Sequence, residues 1–319
     1  MRYLPLLSCL ALPVGLCAPP SAKEAVEQSW DAEHLLDESR FEAAIRTYAA
    51  SIPSLTATLG EAAPRTLIAI NNYATALLQM NRGAEAETAL RDALDRRQRA
   101  GPGEDQILAA TWNNLGEALV LAGRFKAAVV VHERALALRQ RLNPDLHPEI
   151  ASSLNNLAEA LRQAGELTRA RLLFNQAADI WAGPAKGKTG AAAVPMMPGY
   201  ARTKNSLGLL YDTEQKRPEA EEAYTQALQA SLQAYGPAHE YTATLHYNLA
   251  AHYFLFNDWS RAEKHCRQAL DVFELRPAFH DEQLAEALQL HADILERLRG
   301  RKREAKAQRQ RAGAMLSLQ

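Results

Sequence analysis

Cysteines, aromatic residues and long apolar runs are scarce in this sequence. Its 319 residues include 3 cysteines, and aromatic residues make up 7%. Because Cys9 and Cys17 precede residue 22, a chain cut there keeps Cys266 alone, which excludes an intramolecular disulfide scaffold. Sparse β-branched and aromatic residues, with abundant Ala and Leu, argue against a β-sandwich or barrel. The composition therefore predicts an all-α protein.

A charge excess of either sign is also missing. The sequence has 36 Lys and Arg against 37 Asp and Glu, so its net charge of -1 indicates no particular class of partner. It carries no GxGxxG, phosphate-loop, GxSxG or zinc-protease motif. His246, His252 and His291 lack the spacing of helical metal ligands and are interpreted as core or surface residues. We therefore predict no catalytic residue, no metal and no cofactor, with a site assembled across repeats as the alternative.

The first 22 residues have the pattern of a signal peptide. After Met1 and Arg2 comes an apolar stretch that ends at Ala18 and contains two prolines, so it is too short and too interrupted to span a bilayer. Cleavage near Ala18 or Ala22 would place the mature chain in the periplasm or outside the cell. We therefore predict an exported protein.

Two other interpretations of this segment stay open. Cys17 follows Val14, Gly15 and Leu16, which resembles the lipobox of bacterial lipoproteins except that Leu16 is bulky where a small residue belongs. A lipid anchor on Cys17 is therefore one alternative. The other alternative is an uncleaved apolar start on a cytoplasmic protein.

The chain repeats itself every 42 residues. The sequence Leu-Gly-Glu-Ala-Leu at 115–119 returns as Leu-Ala-Glu-Ala-Leu at 157–161, and the Asn-Asn pair at 113–114 returns at 155–156. One small residue marks each copy, and successive markers are separated by 42, 42, 42, 50, 42 and 42 residues. These markers are Ala32, Ala74, Gly116, Ala158, Gly208, Ala250 and Ala292. Seven units with one eight-residue insertion result.

Other small residues keep fixed distances from each marker. Most units have Ala or Ser 12 and 19 positions after the marker, and Ala 7 positions before it. Small residues at fixed places on two successive helices let their backbones approach closely. Asn or Gly at turns such as 81–83 and 123–125 can end a helix in the left-handed conformation. Each unit is therefore predicted to be a helical hairpin.

This pattern resembles the tetratricopeptide repeat (TPR), and the 42-residue period is similar to that of kinesin light chain repeats. The resemblance covers residues 25–319 and implies an all-α, right-handed α-solenoid of about seven hairpins. The Gly- and Pro-rich insertion at 183–199 is interpreted as a tolerated surface loop, with a lid over the groove as the alternative. The units are expected near 25–58, 67–100, 109–142, 151–184, 201–234, 243–276 and 285–319.

The resemblance places the two residues before each Leu-small pair on the concave face of the solenoid. Asn recurs there despite its poor helix propensity. A column of amides can pair with the backbone of an extended peptide, or it can bond between neighbouring helices and fix the repeat spacing. Only Asn156 followed by Arg202 resembles part of a carboxylate clamp, so a full clamp is not expected. The predicted peptide-binding groove consists of Asn71, Asn72, Asn113, Asn114, Asn155, Asn156, Arg202, Asn205 and Asn248.

A basic segment lies near the end of the sequence. Residues 297–311 contain eight Lys or Arg and one Glu, a charge of +7, whereas the rest of the chain carries -8. Because the terminal helix of a solenoid needs a soluble outer face, we interpret this segment as a cap. Contact with anionic lipid or nucleic acid is the alternative.

The sequence thus predicts a non-enzymatic scaffold that holds a peptide segment or a partner protein in the concave TPR groove. The alternative is a regulatory or accessory subunit of a larger complex, either enzymatic or engaged in secretion or envelope assembly. No nucleic-acid partner is expected. Peripheral membrane contact would use the leader or the basic segment.

Overall fold

The computed structural model describes residues 21–101, 105–143, 147–183, 197–275 and 281–316. The predicted signal peptide at 1–22 lies outside these ranges except for its last two residues, and the predicted insertion at 183–199 lies outside them except for its ends. All regular secondary structure in the described ranges is α-helical, as the composition predicted. None of these helices is both long enough and apolar enough to cross a membrane.

The described helices pair as seven hairpins, which divide between two compact units. Unit 1, Met1–Pro102, holds α1 (Ala22–Asp37) with α2 (Phe41–Leu59), and α3 (Pro64–Gln79) with α4 (Gly83–Arg99). Unit 2, Gly103–Gln319, holds α5 (Gln106–Leu121) with α6 (Phe125–Leu142), α7 (Pro148–Gln163) with α8 (Leu167–Ala182), α9 (Met197–Thr213) with α10 (Arg217–Tyr235), α11 (Glu240–Leu255) with α12 (Trp259–Phe273), and α13 (Asp281–Arg297) with α14 (Lys302–Leu316). The predicted number of hairpins is confirmed.

Short sequence signals determine where the helices begin. Ser21 precedes α1, and its hydroxyl accepts a hydrogen bond from the Glu24 backbone while the Glu24 carboxylate accepts one from the Ser21 backbone at 2.7 Å. Pro64 and Pro148 occupy the first positions of α3 and α7, where the missing N–H costs least.

The turn inside most hairpins uses one residue in the left-handed conformation. Asn81 has φ 57° and Gly123 has φ 69°. The backbone N–H of Arg82, which follows Asn81, donates to the Leu77 carbonyl at 2.9 Å and closes the end of α3. In the fifth hairpin Gln215 takes this conformation with φ 58°, although its residue type gives no such signal.

Small residues lie at the predicted contact positions between the helices of a hairpin. The markers Ala74, Ala158 and Ala250 are fully buried. Leu77 and Leu161, three positions after their markers, are also fully buried and fill the space between the helices. The close approach of the two helices at the small residues, as predicted from the repeat, is therefore confirmed.

Two hairpins of unit 2 carry Gly at the marker because a large ring occupies the adjacent space. A Cβ atom on Gly116 would lie 2.4 Å from the His132 ring, and one on Gly208 would lie 2.6 Å from the Tyr224 ring. In both cases the ring belongs to the second helix of the same hairpin. Close packing of a side chain, not a turn, therefore requires glycine at these positions.

The last hairpin consists of α13 and α14. Gly300 has φ 79° in the turn between α13 and α14. On α14, Ala305 and Ala312 are 0% and 2% exposed, and Ala312 belongs to the same buried cluster as Leu288 of α13. α14 therefore covers an apolar side of α13.

Candidate functional site

Amide side chains connect neighbouring first helices in unit 2. Asn156 of α7 donates Nδ2 to Asn113 Oδ1 of α5 at 3.0 Å and to Glu117 Oε1 at 2.9 Å. Asn113 donates to the same Glu117 oxygen at 3.1 Å. These polar groups satisfy one another, so they hold α5 and α7 at a fixed spacing.

The same contact recurs between the fifth and sixth hairpins. Asn248 of α11 donates Nδ2 to Asn205 Oδ1 of α9 at 2.8 Å. Like the first contact, it joins residues 43 positions apart. In both cases the accepting Asn lies three residues before the marker of its hairpin, and the donating Asn lies two residues before the marker of the next hairpin. For these four Asn residues the structure gives a contact that fixes the repeat spacing, and their peptide-binding role stays a prediction.

Asn155 lacks the corresponding contact. By repeat position its partner on α9 would be Ser206, whose side chain is shorter. Asn155 is 6% exposed, its Nδ2 lies 3.5 Å from Asn156 Oδ1, and its Oδ1 has no hydrogen-bond partner within the described ranges. A buried amide oxygen without a donor costs free energy. Among the described residues, α7 and α9 are therefore not joined by an amide bond of the kind that joins α5 with α7 and α9 with α11.

The other predicted groove residues have different surroundings. In unit 1, Asn71 is buried and donates Nδ2 to the Leu67 carbonyl of its own helix at 3.0 Å, while Asn72 is half-buried. In unit 2, Asn114 is half-buried and Arg202 is exposed. Asn72, Asn114 and Arg202 therefore keep surface that a ligand can reach, and their binding role stays a prediction.

The Glu117 carboxylate lies among these amides. Burial raises its pKa, and the Asn113 amide, Arg202, Arg139 and the Asn156 amide act in the opposite direction. The amide donors therefore offset part of the cost of burying this charge. Asn113 and Asn156 stabilise both the hairpin spacing and the carboxylate.

Longer side chains connect the second helices of unit 2. Glu133 of α6 pairs with Arg169 of α8 at 2.9 Å, and Glu221 of α10 pairs with Arg261 of α12 at 2.5 Å. The first helices α5 and α7, α7 and α9, and α11 and α13 touch one another directly. Short amides can join only helices that lie close together, whereas long Arg–Glu pairs can join helices that lie farther apart. The first helices of unit 2 therefore lie closer to one another than the second helices do, and they form its inner face.

A hollow of about 490 Å³ is lined mainly by the first helices α9, α11 and α13, with one residue each from α10 and α12. Asn248, one of the residues predicted for the groove, lies in its wall. The full lining is Leu209, Asp212, Tyr224, Asn248, Ala251, Phe254, Leu255, Asn257, Trp259 and Arg297. The hollow is thus mainly apolar with a few polar groups, as ligand pockets usually are.

Sequence reasoning missed most of this hollow. Leu255 and Arg297 lie five residues after their markers, and Leu255 is 47% exposed. An apolar residue at an inner-face position is the signal that could have revealed the site. Trp259 packs edge-on against Phe254 with ring centroids 5.2 Å apart, and the Arg297 guanidinium lies 5.7 Å from the centre of the Trp259 ring.

A polar cluster centred on Asp212 supports one wall of the hollow. Asp212 Oδ1 lies 2.6 Å from His252 Nδ1, and Oδ2 accepts a hydrogen bond from the Tyr224 hydroxyl at 3.0 Å. This carboxylate partner of His252 was missed, because it is 40 residues away in sequence. No cluster of three or more metal-ligating side chains is present where the structure is described. Both Asp212 oxygens are engaged, so the cluster orders the wall.

The sequence also matches models of a known protein family. Two tetratricopeptide repeat models match it, one at residues 66–100 and the other at residues 107–182 and 199–275. The matched segments contain five of the seven hairpins completely or nearly so. No curated protein sequence matches the chain significantly.

Several solved structures have a similar fold. BtubC (BKLC) from P. vanneervenii has a TM-score of 0.55 and 18% identity, covering 79% of this chain and 91% of that one. A putative kinesin light chain with nearly identical TPR-like repeats from Podosopora anserina has a TM-score of 0.51 and 19% identity, covering 66% and 96%. A Rap protein complexed with Competence and Sporulation Factor has a TM-score of 0.59 and 15% identity, covering 88% and 75%.

The residue pattern, the hairpins and the family matches agree. The small-residue markers predicted the hairpins, and the matched models describe the same repeat. Structures of kinesin-light-chain-like proteins are among the similar folds, as the 42-residue period implied. The chain therefore belongs to the tetratricopeptide repeat family.

Proposed function

We propose that this protein is a non-enzymatic scaffold that binds a peptide segment or a partner protein on the inner face of unit 2. The TPR fold is commonly used to bind proteins. The Rap protein of similar fold was solved complexed with Competence and Sporulation Factor, which supports a binding role for this architecture.

The hollow on the inner face carries this proposal. Its volume of about 490 Å³ lies within the usual range of ligand sites. Leu255 presents an exposed apolar side chain there, and Arg297 presents a cation. An apolar wall gives binding free energy, while a few polar groups fix the orientation of the ligand.

The amide contacts support the same proposal by keeping the inner face rigid. Asn113 with Asn156, and Asn205 with Asn248, hold the first helices in place before any ligand arrives. A site that is already ordered loses less entropy on binding. The exposed Arg202 can then bond to the backbone carbonyls of a peptide.

A regulatory or accessory subunit of a larger complex is the second candidate. It would use the same inner face, with the other subunit of the complex as the partner. The two candidates differ in whether the captured partner is itself part of a stable assembly. Size-exclusion chromatography of the native protein separates them, because a permanent subunit elutes with its complex.

Partner capture with matched variants tests the proposed face. Leu255→Lys with Arg202→Glu alters the inner face, whereas Leu172→Lys alters α8, a second helix, where Leu172 is 59% exposed. The native chain and the Leu172 variant should retain the same proteins from the source organism, and the inner-face variant should lose them, as quantified by mass spectrometry. Equal retention by all three proteins would contradict the proposal.

Export is the proposed setting for this activity. The apolar stretch after Arg2 and the cleavage candidates Ala18 and Ala22 support it. N-terminal sequencing of the native protein tests it directly. A mature chain that begins after residue 17 supports export, and a chain that still begins at Met1 or Arg2 contradicts it.

A further inference from the structure

A second depression, of about 520 Å³, lies at the turn between α13 and α14. Four of its lining residues are cations, namely Arg297, Arg299, Lys302 and Arg303. Glu296 also lines it, but its carboxylate lies 2.6 Å from Arg309. We call this feature the basic depression.

The cations of this segment fall into two groups. Arg301, Arg309 and Arg311 are each engaged by carboxylates, and none of them lines the basic depression. Their partners are Glu304 and Glu263 for Arg301, Glu296 and Asp293 for Arg309, and Glu274 for Arg311. In contrast, Arg299, Lys302, Arg303 and Lys306 form no ion pair or hydrogen bond with any described residue. Three of these four residues line the basic depression, where four cations lie around the single carboxylate of Glu296, so positive charge exceeds negative charge there.

Arg297 connects the basic depression with the hollow of the inner face, because it lines both. Its guanidinium lies over the Trp259 ring and makes no ion pair with a described residue. The mainly apolar hollow and the basic depression are therefore neighbours that share the Arg297 side of their walls. A ligand that fills both must carry an apolar group next to negative charge.

We propose that these two adjoining features bind an acidic peptide segment that carries one apolar side chain. The apolar side chain occupies the hollow against Leu255 and Phe254, and neighbouring carboxylates lie at Arg297 and Lys302. This inference rests on the proposed function and specifies the chemistry of its ligand. Arginine binds carboxylates through two parallel hydrogen bonds, which suits Arg297 to select the acidic position.

The shape of the site favours a peptide over other anionic partners. The apolar contact lies in a hollow lined by residues of five helices, so a flat membrane surface would meet the cations but not Ala251 or Leu209 in the hollow. A nucleic acid would need an open aromatic face for base stacking. Trp259 is already packed against Phe254 and covered by Arg297.

Calorimetric titration of the full chain with synthetic peptides tests the proposal. The probe is Glu-Glu-Glu-Leu-Glu-Glu-Glu, and its control has Ser in place of Leu. We expect the Leu peptide to bind at least fivefold more tightly than the Ser peptide. Arg297→Gln should lower the affinity for the Leu peptide at least tenfold. Leu255→Ser should give the Leu and Ser peptides equal affinities.

Lys306→Gln is the matched control, because Lys306 is exposed, lies on α14 and lines neither feature. It removes the same charge as Arg297→Gln and should change the affinity less than twofold. Equal weakening by both variants would show general attraction of polyanions, and equal binding of both peptides would exclude the apolar contact. Either result overturns the proposal.

Two further arms separate the remaining outcomes. Stronger sedimentation with phosphatidylglycerol vesicles than with phosphatidylcholine vesicles, together with no peptide binding, would assign the cations to a membrane and overturn the peptide ligand. Loss of partner capture by the Leu255 and Arg202 variant, with no binding of the acidic peptide, would overturn this inference while the proposed function stands. Retained capture by that variant would contradict the proposed function itself.

Discussion

Units 1 and 2 share one repeat but differ in the polarity of their interiors. In unit 2, His132, His246, His252 and His291 are all buried. In the part of unit 1 that the structure describes, the single histidine, His34, has a side chain that is 75% exposed. The same helical hairpin therefore tolerates ionisable rings in its core. Burial lowers the pKa values of His132, His246 and His291, so the folded unit 2 favours the neutral form of these three rings.

The largest expected effect comes from removing residues 301–319, which contain α14. This deletion uncovers Leu288 and Leu295 of α13, both fully buried. Exposing two leucines should cost roughly 3–6 kcal/mol of unfolding free energy. Hydrogen exchange should accelerate in α11 and α13 of unit 2 and stay unchanged in unit 1.

Charge reversal at Lys302 and Arg303 is the control for this deletion. It alters the basic surface but leaves the apolar contact of Ala305 and Ala312 in place. Melting should therefore stay close to that of the native chain. An unchanged melting temperature after the deletion itself would contradict the cap.

Acid should affect unit 2 and spare unit 1. Burial, with Arg139 nearby, lowers the pKa of His132 to about 4, and burial with the His246, Lys264 and Arg261 charges lowers that of His265 to about 4. A histidine whose pKa is lower in the folded chain stabilises the fold above its unfolded pKa. This contribution is lost as the pH falls from about 6.5 to about 4. For His132, the free energy of unfolding should then be about 3 kcal/mol lower at pH 4 than at neutral pH.

Urea unfolding at pH 7.5 and pH 5, followed by hydrogen exchange, measures this difference. Protection in unit 2 should fall at pH 5, and protection in unit 1 should not. His132→Leu should reduce the pH dependence, because no proton can then bind at that position. His34→Gln is the control, and an equal pH response of the two units would contradict the assignment.

Gly116→Ala should destabilise unit 2 by roughly 1–3 kcal/mol, since overpacking forces the His132 ring to move. The corresponding marker in unit 1 is Ala74, and the residue that corresponds to His132 is Leu90, 16 positions later. Since no ring lies there, a Cβ atom fits at this marker. Combining Gly116→Ala with His132→Leu should recover the lost stability. Denaturant unfolding of both variants measures this, and failure of the second change to rescue the first would argue against the ring contact.

Ser206→Asn is expected to have the smallest effect, a gain of about 0.5–1 kcal/mol. The longer side chain can donate to the unpartnered Asn155 oxygen and add a third amide contact to unit 2. Ser206→Ala serves as the control, because it shortens the side chain further. Chemical denaturation compares the three proteins. A loss of stability with Asn would show that residue 206 does not face Asn155 in the way that Asn156 faces Asn113.

The repeat spacing in the sequence determined the helices, the hairpins and the buried alanines such as Ala158. These features depend on residues within one hairpin, whose separation along the chain sets which of them meet. Contacts between hairpins were not predictable in the same way. The Asn205 to Asn248 bond and the pairing of Asp212 with His252 depend on how one hairpin rotates against the next.

The binding surfaces were predictable only in part. Asn248, which the TPR pattern assigned to the groove, lines the hollow, and its binding role stays a prediction. The hollow around it depends on which side chains leave space, and the residue types of Leu255 and Trp259 alone do not show this. The basic segment was visible in the sequence, but its division into paired and unpaired cations required the geometry of Arg301 and Arg309.

The pairing of Gly116 with His132, and of Gly208 with Tyr224, limits how such a chain can be rebuilt by recombination. Each complementary pair is contained within one hairpin, so a whole hairpin can be duplicated or exchanged without separating the pair. A crossover inside a hairpin that joined α7 to α6 would set Ala158 against His132. Crossovers are therefore expected to survive at the connections between hairpins and to fail at the turns within them.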